Sequence, residues 1–342
     1  MRVIAFGHDA PRRIRIWSFH NPNSLDFLGD FWSSATVHTF DRTLLKVMKV
    51  GLIQNSASVK VDTNIEKSIT LIRLAAEKGA QIICLQELFA SQYFCQTCES
   101  GPFQLAETLE SSFVRQFRDL AAELEIVLVL PYFEKRAEGI FHNSAAVIDA
   151  DGSIAGHYRK MHIPNDPQFY EKFYFTPGDT GYDSFQTRYG KVGVCICWDQ
   201  WFPEAARLTA LTGAQIIFYP TAIGWHPDDL EVEGLAESQL DAWRVVQRGH
   251  AVANSCFVAA ANRCGTESSP DPNDKPIQFW GHSFIADPSG TLLAEAGDED
   301  EVVIAEVDLD SIAERRRMWG FFRDRRIDSY DRISTHGSEV SS

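Results

Sequence analysis

The stretch KVGVCICWDQWFPEAAR, residues 191–207, decides how the chain is read. Its first half carries small and apolar residues with the period of a buried strand. Its second half, with Pro203 near a first turn, reads as a helix running to residue 211. Period two places Gly193, Cys195 and Cys197 on one strand face, with Cys197 the last strand residue before the chain turns. A strand-to-helix turn exposes a nucleophile and offers backbone N–H groups to an oxyanion. Cys197 is therefore the candidate nucleophile, and Cys195, deeper in the strand, is expected to be inert core.

Outward from this turn the same alternation repeats. Residues 49–54 read as a strand. Residues 62–78 read as a helix with Ile65, Ile69, Ile72 and Ala76 at helical spacing and Gly79 as its stop. Strands follow at 81–85, 126–130, 216–219 and 256–261, with helices at 110–123 and 233–253 and three further strands between 281 and 307. Residues 140–159 read as a hairpin turning at Asp151-Gly152. The string GAQII occurs at 79–83 and again at 213–217, each time between a helix and a strand. Two similar half-units each bringing a sheet edge toward one site would explain the repeat, as would chance. The pattern predicts an α/β fold with helix-covered sheets and reactive residues just beyond strand C-termini.

Composition narrows the function. The chain has 342 residues, 32 Lys+Arg against 47 Asp+Glu and a net charge of −15. That acidity excludes nucleic acid as a partner, because neutralising phosphates needs a basic surface. No stretch approaches the roughly 18 apolar residues of a membrane span, so no membrane partner is expected. Seven cysteines, an odd number, suit a reducing compartment with free thiols, and a cytoplasmic location is expected. Residues 1–47 hold four arginines in the first fifteen positions and no regular period. They read as an N-terminal extension without a catalytic role, residues 48–331 as the catalytic domain, and residues 332–342 as a disordered tail.

A cysteine nucleophile needs a base for its proton. Glu87 follows the buried strand in AQIICLQELFA, and Lys160 follows the hairpin in YRKMHIP. Three ionisable residues of complementary chemistry thus sit at three strand exits. The segments LQELF, YRKMHIP and CWDQWFPE resemble the Glu-Lys-Cys signature of the nitrilase superfamily of C–N hydrolases. The likeness extends over residues 48 to about 331, including EKFYFTPGDTG at 171–181 and QRGHAVANSCFVAAANRCG at 247–265.

That resemblance implies an α-β-β-α sandwich of two mixed sheets covered by helices, and hydrolysis of a linear amide or ureido bond. It implies Glu87 as general base, Cys197 as nucleophile, Lys160 with the Trp198 amide as oxyanion holder, and Glu171 as the acid that keeps Lys160 or the substrate in place. No metal or organic cofactor is implied. The strings CWDQWFPEAAR and FYPTAIG point within the family to carbamoylated amines as substrate, with a β-ureidopropionase-like or aliphatic amidase activity as the alternative. Asp199, Gln200 and Trp201 follow Cys197 with no arginine before Arg207, which favours a neutral or cationic substrate tail. Tyr93, Phe94, Trp198, Trp225 and His226 are candidate pocket walls, since aromatic walls suit an alkyl ammonium. The basic, aromatic segment RRRMWGFFRDRRIDSY at 315–330 is expected to mediate homo-oligomer contacts. A different reading gathers Cys95, Cys98, Cys195 and Cys197 into a zinc-binding module; the strand lacks the knuckle turn this needs.

Overall fold

The computed structural model describes residues 47–337. The chain opens with β1 (Val47–Gln54), α1 (Val61–Glu77) and β2 (Ile82–Leu85). It continues through α2 (Ser112–Leu124), β3 (Val127–Ala137), β4 (Ile140–Ile148) and β5 (Ile154–Arg159). After the single-turn α3 (Glu171–Tyr174) come β6 (Ser184–Thr187), β7 (Gly190–Val194), α4 (Pro203–Leu211), β8 (Ile216–Thr221) and β9 (Gly224–Trp225). The long α5 (Leu235–Asn254) leads to β10 (Phe257–Asn262), β11 (Cys264–Glu267), β12 (Ile277–Trp280), β13 (Phe284–Ala286), β14 (Leu292–Glu295), β15 (Glu301–Asp308) and α6 (Ser311–Met318).

One sheet has the order β15-β1-β2-β3-β4-β5, a second β14-β13-β10-β8-β7-β6, and β11-β12-β9 form a small third sheet. Strand alternation explains how the two large sheets stack. Val50 and Leu52 of β1, Ile82 of β2 and Val127 of β3 meet Val192 of β7, Phe218 of β8 and Ala259 of β10 in one buried cluster between the sheets. The opposite face of the first sheet, with Ile53, Ile83 and Leu128, packs on Ile72 of α1 and Phe117 of α2. The far face of the second, with Ile217 and Val258, packs on Ala206 of α4 and Trp243 of α5. The expected α-β-β-α sandwich is the fold observed.

The repeated GAQII occupies equivalent places in the two halves. Gln81 donates its backbone N–H to Lys49 and accepts from Val127; Gln215 donates to Lys191 and accepts from Phe257, all at 2.8–2.9 Å. Each preceding glycine has a left-handed backbone, φ +89° at Gly79 and +105° at Gly213. Even the lysine side chains correspond: Lys49 Nζ donates to Lys78 O and Lys191 Nζ to Thr212 O. In each half, two parallel pairings, β1-β2-β3 and β7-β8-β10, are flanked by antiparallel strands. The repeat therefore marks one supersecondary unit used twice.

Two expectations need correction. The strand expected to end at Cys197 ends at Val194, because the chain is drawn into a 3₁₀ turn over Cys197–Trp201. Period two therefore breaks, and Cys195 and Cys197 do not share a face. Cys195 joins the helix-side cluster beside Thr209, while Cys197 belongs to the cluster between the sheets. Short β6, β9, β11 and β12 also escape periodicity, with two to four residues each.

At Gly193 an added Cβ would stand 2.3 Å from Thr209 Cγ2, so β7 and α4 touch through this glycine. Gly193→Ala is expected to destabilise the protein by about 1–3 kcal/mol through overpacking. Gly249, helical in α5 with open space around its Cα, behaves oppositely: Gly249→Ala is expected to stabilise by roughly 0.5–1 kcal/mol. Urea unfolding of the two variants checks both signs.

Candidate active site

Four chain segments deliver the site. Glu87 lies two residues beyond β2, Lys160 one residue beyond β5, Glu171 opens α3, and Cys197 starts the 3₁₀ turn after β7. Lys160 is fully buried, and its Nζ donates to Glu87 Oε1 at 2.7 Å and to Glu171 Oε2 at 2.6 Å. Asn143 Nδ2 of β4 donates to the same Glu87 oxygen at 2.6 Å, and the Tyr93 hydroxyl to Glu171 Oε1 at 2.8 Å. Glu87 Oε2 is buried and has no hydrogen-bond partner. One oxygen of Glu87 is thus occupied in holding position, and the other is open to accept a proton.

Burial works against the charge of Lys160, yet the Glu171 and Glu87 carboxylates beside it outweigh that and hold its pKa well above the ordinary lysine value. Burial, opposed by Lys160 and reinforced by Glu87, pushes Glu171 up to about 7. A single ammonium cannot fully neutralise two buried carboxylates, so Glu171 takes up a proton near neutrality. Burial, then the Glu87 charge, push the Cys197 thiol well above its usual value against the pull of Lys160. The resting sulfur is therefore a neutral thiol that must hand its proton to a base at the moment of attack.

The backbone is strained where it presents these groups. Cys197 has φ +43° and Leu88, next to Glu87, φ +52°. For residues with a Cβ the left-handed region is costly and persists only where the surroundings impose it. Buried Asp199 imposes it at the nucleophile. Its carboxylate accepts from the Tyr158 hydroxyl at 2.7 Å and from the backbone N–H of Ile196 at 2.8 Å and His162 at 3.0 Å. Trp243 Nε1 fastens Gln200 Oε1 at 2.8 Å. At Glu87 the brace is Arg263, fully buried, whose guanidinium donates to the carbonyls of Glu87 at 3.1 Å and Leu88 at 2.7 Å. Arg263 is neutralised by Glu267 at 2.6 Å, and Glu267 also accepts the Tyr93 backbone N–H at 2.6 Å.

Glu171 and Cys197 face a cavity of about 490 Å³. Of the expected walls, Trp198 and His226 line it. Tyr93 is 1 % exposed and stands behind Glu171 as its hydrogen-bond donor. Phe94 is turned away into an aromatic cluster, its ring 5.2 Å from Phe133 and 5.0 Å from Tyr174. Trp225 packs on Trp280, 5.4 Å between centroids, with its indole N–H bound to Ala236 O. These three are corrected from walls to supports, because each finds a packing or hydrogen-bonding partner behind the cavity surface. The remaining lining comes from distant segments, chiefly Asp166, Phe169, Trp201, Asp229, Gln239 and Trp280.

Asp199 and Gln200, used in the sequence to argue substrate charge, point into the scaffold, and Arg207 stacks on Phe322 at the surface. Sequence reasoning also missed Asn143, Arg263 and Glu267; the only signal was three polar residues inside otherwise strand-like stretches. The four cysteines of the zinc reading are not gathered: Cys98 is exposed and Cys195 faces the helices. Among the described residues no three His, Cys, Asp or Glu side chains converge to hold a metal, and no helix is long and apolar enough to cross a membrane.

Known proteins are similar to this chain over most of its length. The carbon-nitrogen hydrolase family profile matches residues 49–317. The N-carbamoylputrescine amidase of Solanum tuberosum is 47% identical over 85% of this chain and 96% of its own length. The citrullinase of Francisella tularensis is 43% identical over 84% and 98%. The crystal structure of a carbon-nitrogen hydrolase from Helicobacter pylori G27 superposes with a TM-score of 0.82 at 45% identity, covering 85% of this chain and 99% of that one. A buried Glu-Lys-Glu cluster beside a strained cysteine, on this sandwich and with these relatives, places the chain in the carbon-nitrogen hydrolase family, whose members hydrolyse amide C–N bonds.

Proposed function

We propose that the protein hydrolyses N-carbamoylputrescine to putrescine, carbon dioxide and ammonia. The observation that carries this reading is Lys160 clamped between Glu87 and Glu171 behind the Cys197 cavity. It is supported by 45–47% identity to N-carbamoylputrescine amidases from four plants.

Glu87 Oε2, the unpartnered oxygen, takes the thiol proton as Cys197 Sγ attacks the ureido carbon. Negative charge then grows on the carbonyl oxygen. Lys160 has three N–H donors and spends two on the carboxylates, so the third is free for this oxygen. The Trp198 amide lies in the first turn of the 3₁₀ helix, where N–H groups lack an intrahelical acceptor, and supplies the second donor. Collapse breaks the bond to the terminal nitrogen, which leaves as ammonia with the proton from Glu87. The thiocarbamate on Cys197 is next attacked by water, whose proton Glu87 accepts and then returns to the departing sulfur. The carbamic acid released splits into carbon dioxide and the diamine. Glu171 and Tyr93 do not touch the reacting carbon in this scheme; they hold the ammonium of Lys160 in place.

The free thiols support a cytoplasmic site of action. Exposed Met318, Trp319, Ile327 and Ile333 in the arginine-rich C-terminal segment support self-association. Residues 1–46 lie outside the described residues, and a strand begins at Val47; we retain the reading of residues 1–47 as a non-catalytic extension. A second reading, a citrullinase, is favoured by the Francisella relative.

Ammonia release from N-carbamoylputrescine, N-carbamoyl-β-alanine and citrulline tests the proposal: the first is expected to be turned over with the highest kcat/KM, and preference for either acid would refute it. Cys197→Ala is expected to lower kcat by more than about 1,000-fold, whereas Cys195→Ala leaves ammonia release within a few-fold and lowers the urea midpoint; a dead Cys195→Ala enzyme reverses the assignment.

A pH profile reads Glu171. It is shifted upward to about 7, so it holds a proton below that pH and releases it above. Because Glu171 must be ionised to hold the Lys160 ammonium in place, kcat/KM is expected to rise with pH through about 7. Glu171→Gln removes the titrating group, so this rising limb should disappear even as kcat falls. A limb that stays in place would show that another group controls it.

A further inference from the structure

Resting on the proposed reaction, we infer that Asp229 is the residue that receives the substrate's distal ammonium and thereby sets selectivity for cationic carbamoylated amines over carbamoylated acids. Nothing in the immediate surroundings of Cys197 supplies this function, since Asp199 is consumed by Tyr158 and backbone N–H groups. The cavity wall instead includes three carboxylates, Asp166, Glu171 and Asp229, and no lysine or arginine among its described lining residues. Both oxygens of Glu171 are already bonded, to Lys160 and Tyr93. Asp166 is exposed, where water screens it.

Asp229 differs from both. It is half-buried in the 3₁₀ turn Pro227–Glu231 and pinned by Gln239 Nε2 of α5, which donates to its Oδ2 at 2.9 Å. Its neighbours on that turn, Asp228 and Glu231, are both neutralised by Lys275 at 2.7 Å. Among the described residues Asp229 has no cationic partner. It is a fixed, uncompensated negative charge on the wall of a cavity whose other surfaces include Trp198, Trp201, Phe169 and Trp280. Indole and phenyl faces accept a methylene chain and favour a cation over an anion. A substrate ending in a carboxylate would lose its hydration there and meet a like charge. The citrulline head carries both signs and would leave its carboxylate without a partner on this wall.

The test compares kcat/KM for N-carbamoylputrescine with that for n-pentylurea, in which a methyl group replaces the ammonium. The wild-type enzyme is expected to prefer the cation by at least about 30-fold, the effect of one partly desolvated charge pair. Asp229→Asn should bring that ratio to within a few-fold, with the loss in KM rather than kcat. Asp228→Asn removes the same charge from the same turn but not from the cavity wall, and should keep the ratio. Misfolding lowers turnover of both substrates together, so the ratio reads the subsite alone. If the wild-type preference exists but survives in Asp229→Asn, or is lost in Asp166→Asn instead, the assignment to Asp229 is overturned while the proposed reaction stands. A wild-type enzyme that treats the two substrates alike overturns the ammonium subsite while the proposed reaction stands, and one that turns over neither overturns both.

Discussion

A lysine ammonium with no access to water governs this structure. Burying such a charge is costly unless it is paired and its hydrogen bonds are satisfied, and Lys160 meets the condition only because Glu87 and Glu171 reach it from separate segments. Removing Lys160 would leave two buried carboxylates uncompensated, a loss of about 3–5 kcal/mol in comparable buried pairs. The demand spreads outward. Glu171 is held by Tyr93, Tyr93 by Glu267, Glu267 by Arg263, and Arg263 by the carbonyls beside Glu87. The chain of contacts closes on itself, so the groups that perform chemistry are also the groups that keep one another in register.

The doubled architecture explains why the site sits where it does. Glu87 and Lys160 leave strands of the first sheet, whereas Cys197 leaves the second. Neither half-unit holds a complete set. The sulfur approaches the base only when the apolar residues between the sheets, Val50 and Leu52 against Val192 and Phe218 among them, fix the separation. Hydrophobic packing is thus part of the catalytic geometry, and Gly193 sets how closely α4 lies against the strand that feeds Cys197.

Much of this was legible in the residues. Helices with apolar positions at three- and four-residue spacing, such as α1, and strands with buried runs, such as β2, were placed within one or two residues. Glu87, Lys160 and Cys197 stand out in the sequence because three residues of complementary chemistry lie at three strand exits in segments that resemble a known signature, and Glu171 through that resemblance alone; the structure gathers their segments at one cavity. What periodicity cannot convey is direction after the strand ends. The turn that begins at Cys197 breaks the alternation and leaves Cys197 on the face opposite Cys195. Phe94 and Trp225 look like pocket walls by composition, yet each has an aromatic partner that draws it away. Arg263 and Glu267 are brought to Glu87 across more than 170 residues, a proximity that no local pattern encodes.

The same limit separates reactivity from selectivity. Residues adjacent to the nucleophile in sequence, Asp199 and Gln200, serve the strained turn, and their charge and polarity never reach the substrate. The cavity wall is assembled from the segment before α3, the turn before α5 and the first turns of α5 itself. These pieces pack around the sandwich without taking part in the Lys160 network, so their side chains can alter the accepted tail while the buried charges stay matched. A fold organised in this way keeps one hydrolytic apparatus rigid and leaves the sign of the substrate's far end to a few residues on loops, where substitution disturbs neither the inter-sheet core nor the ion cluster.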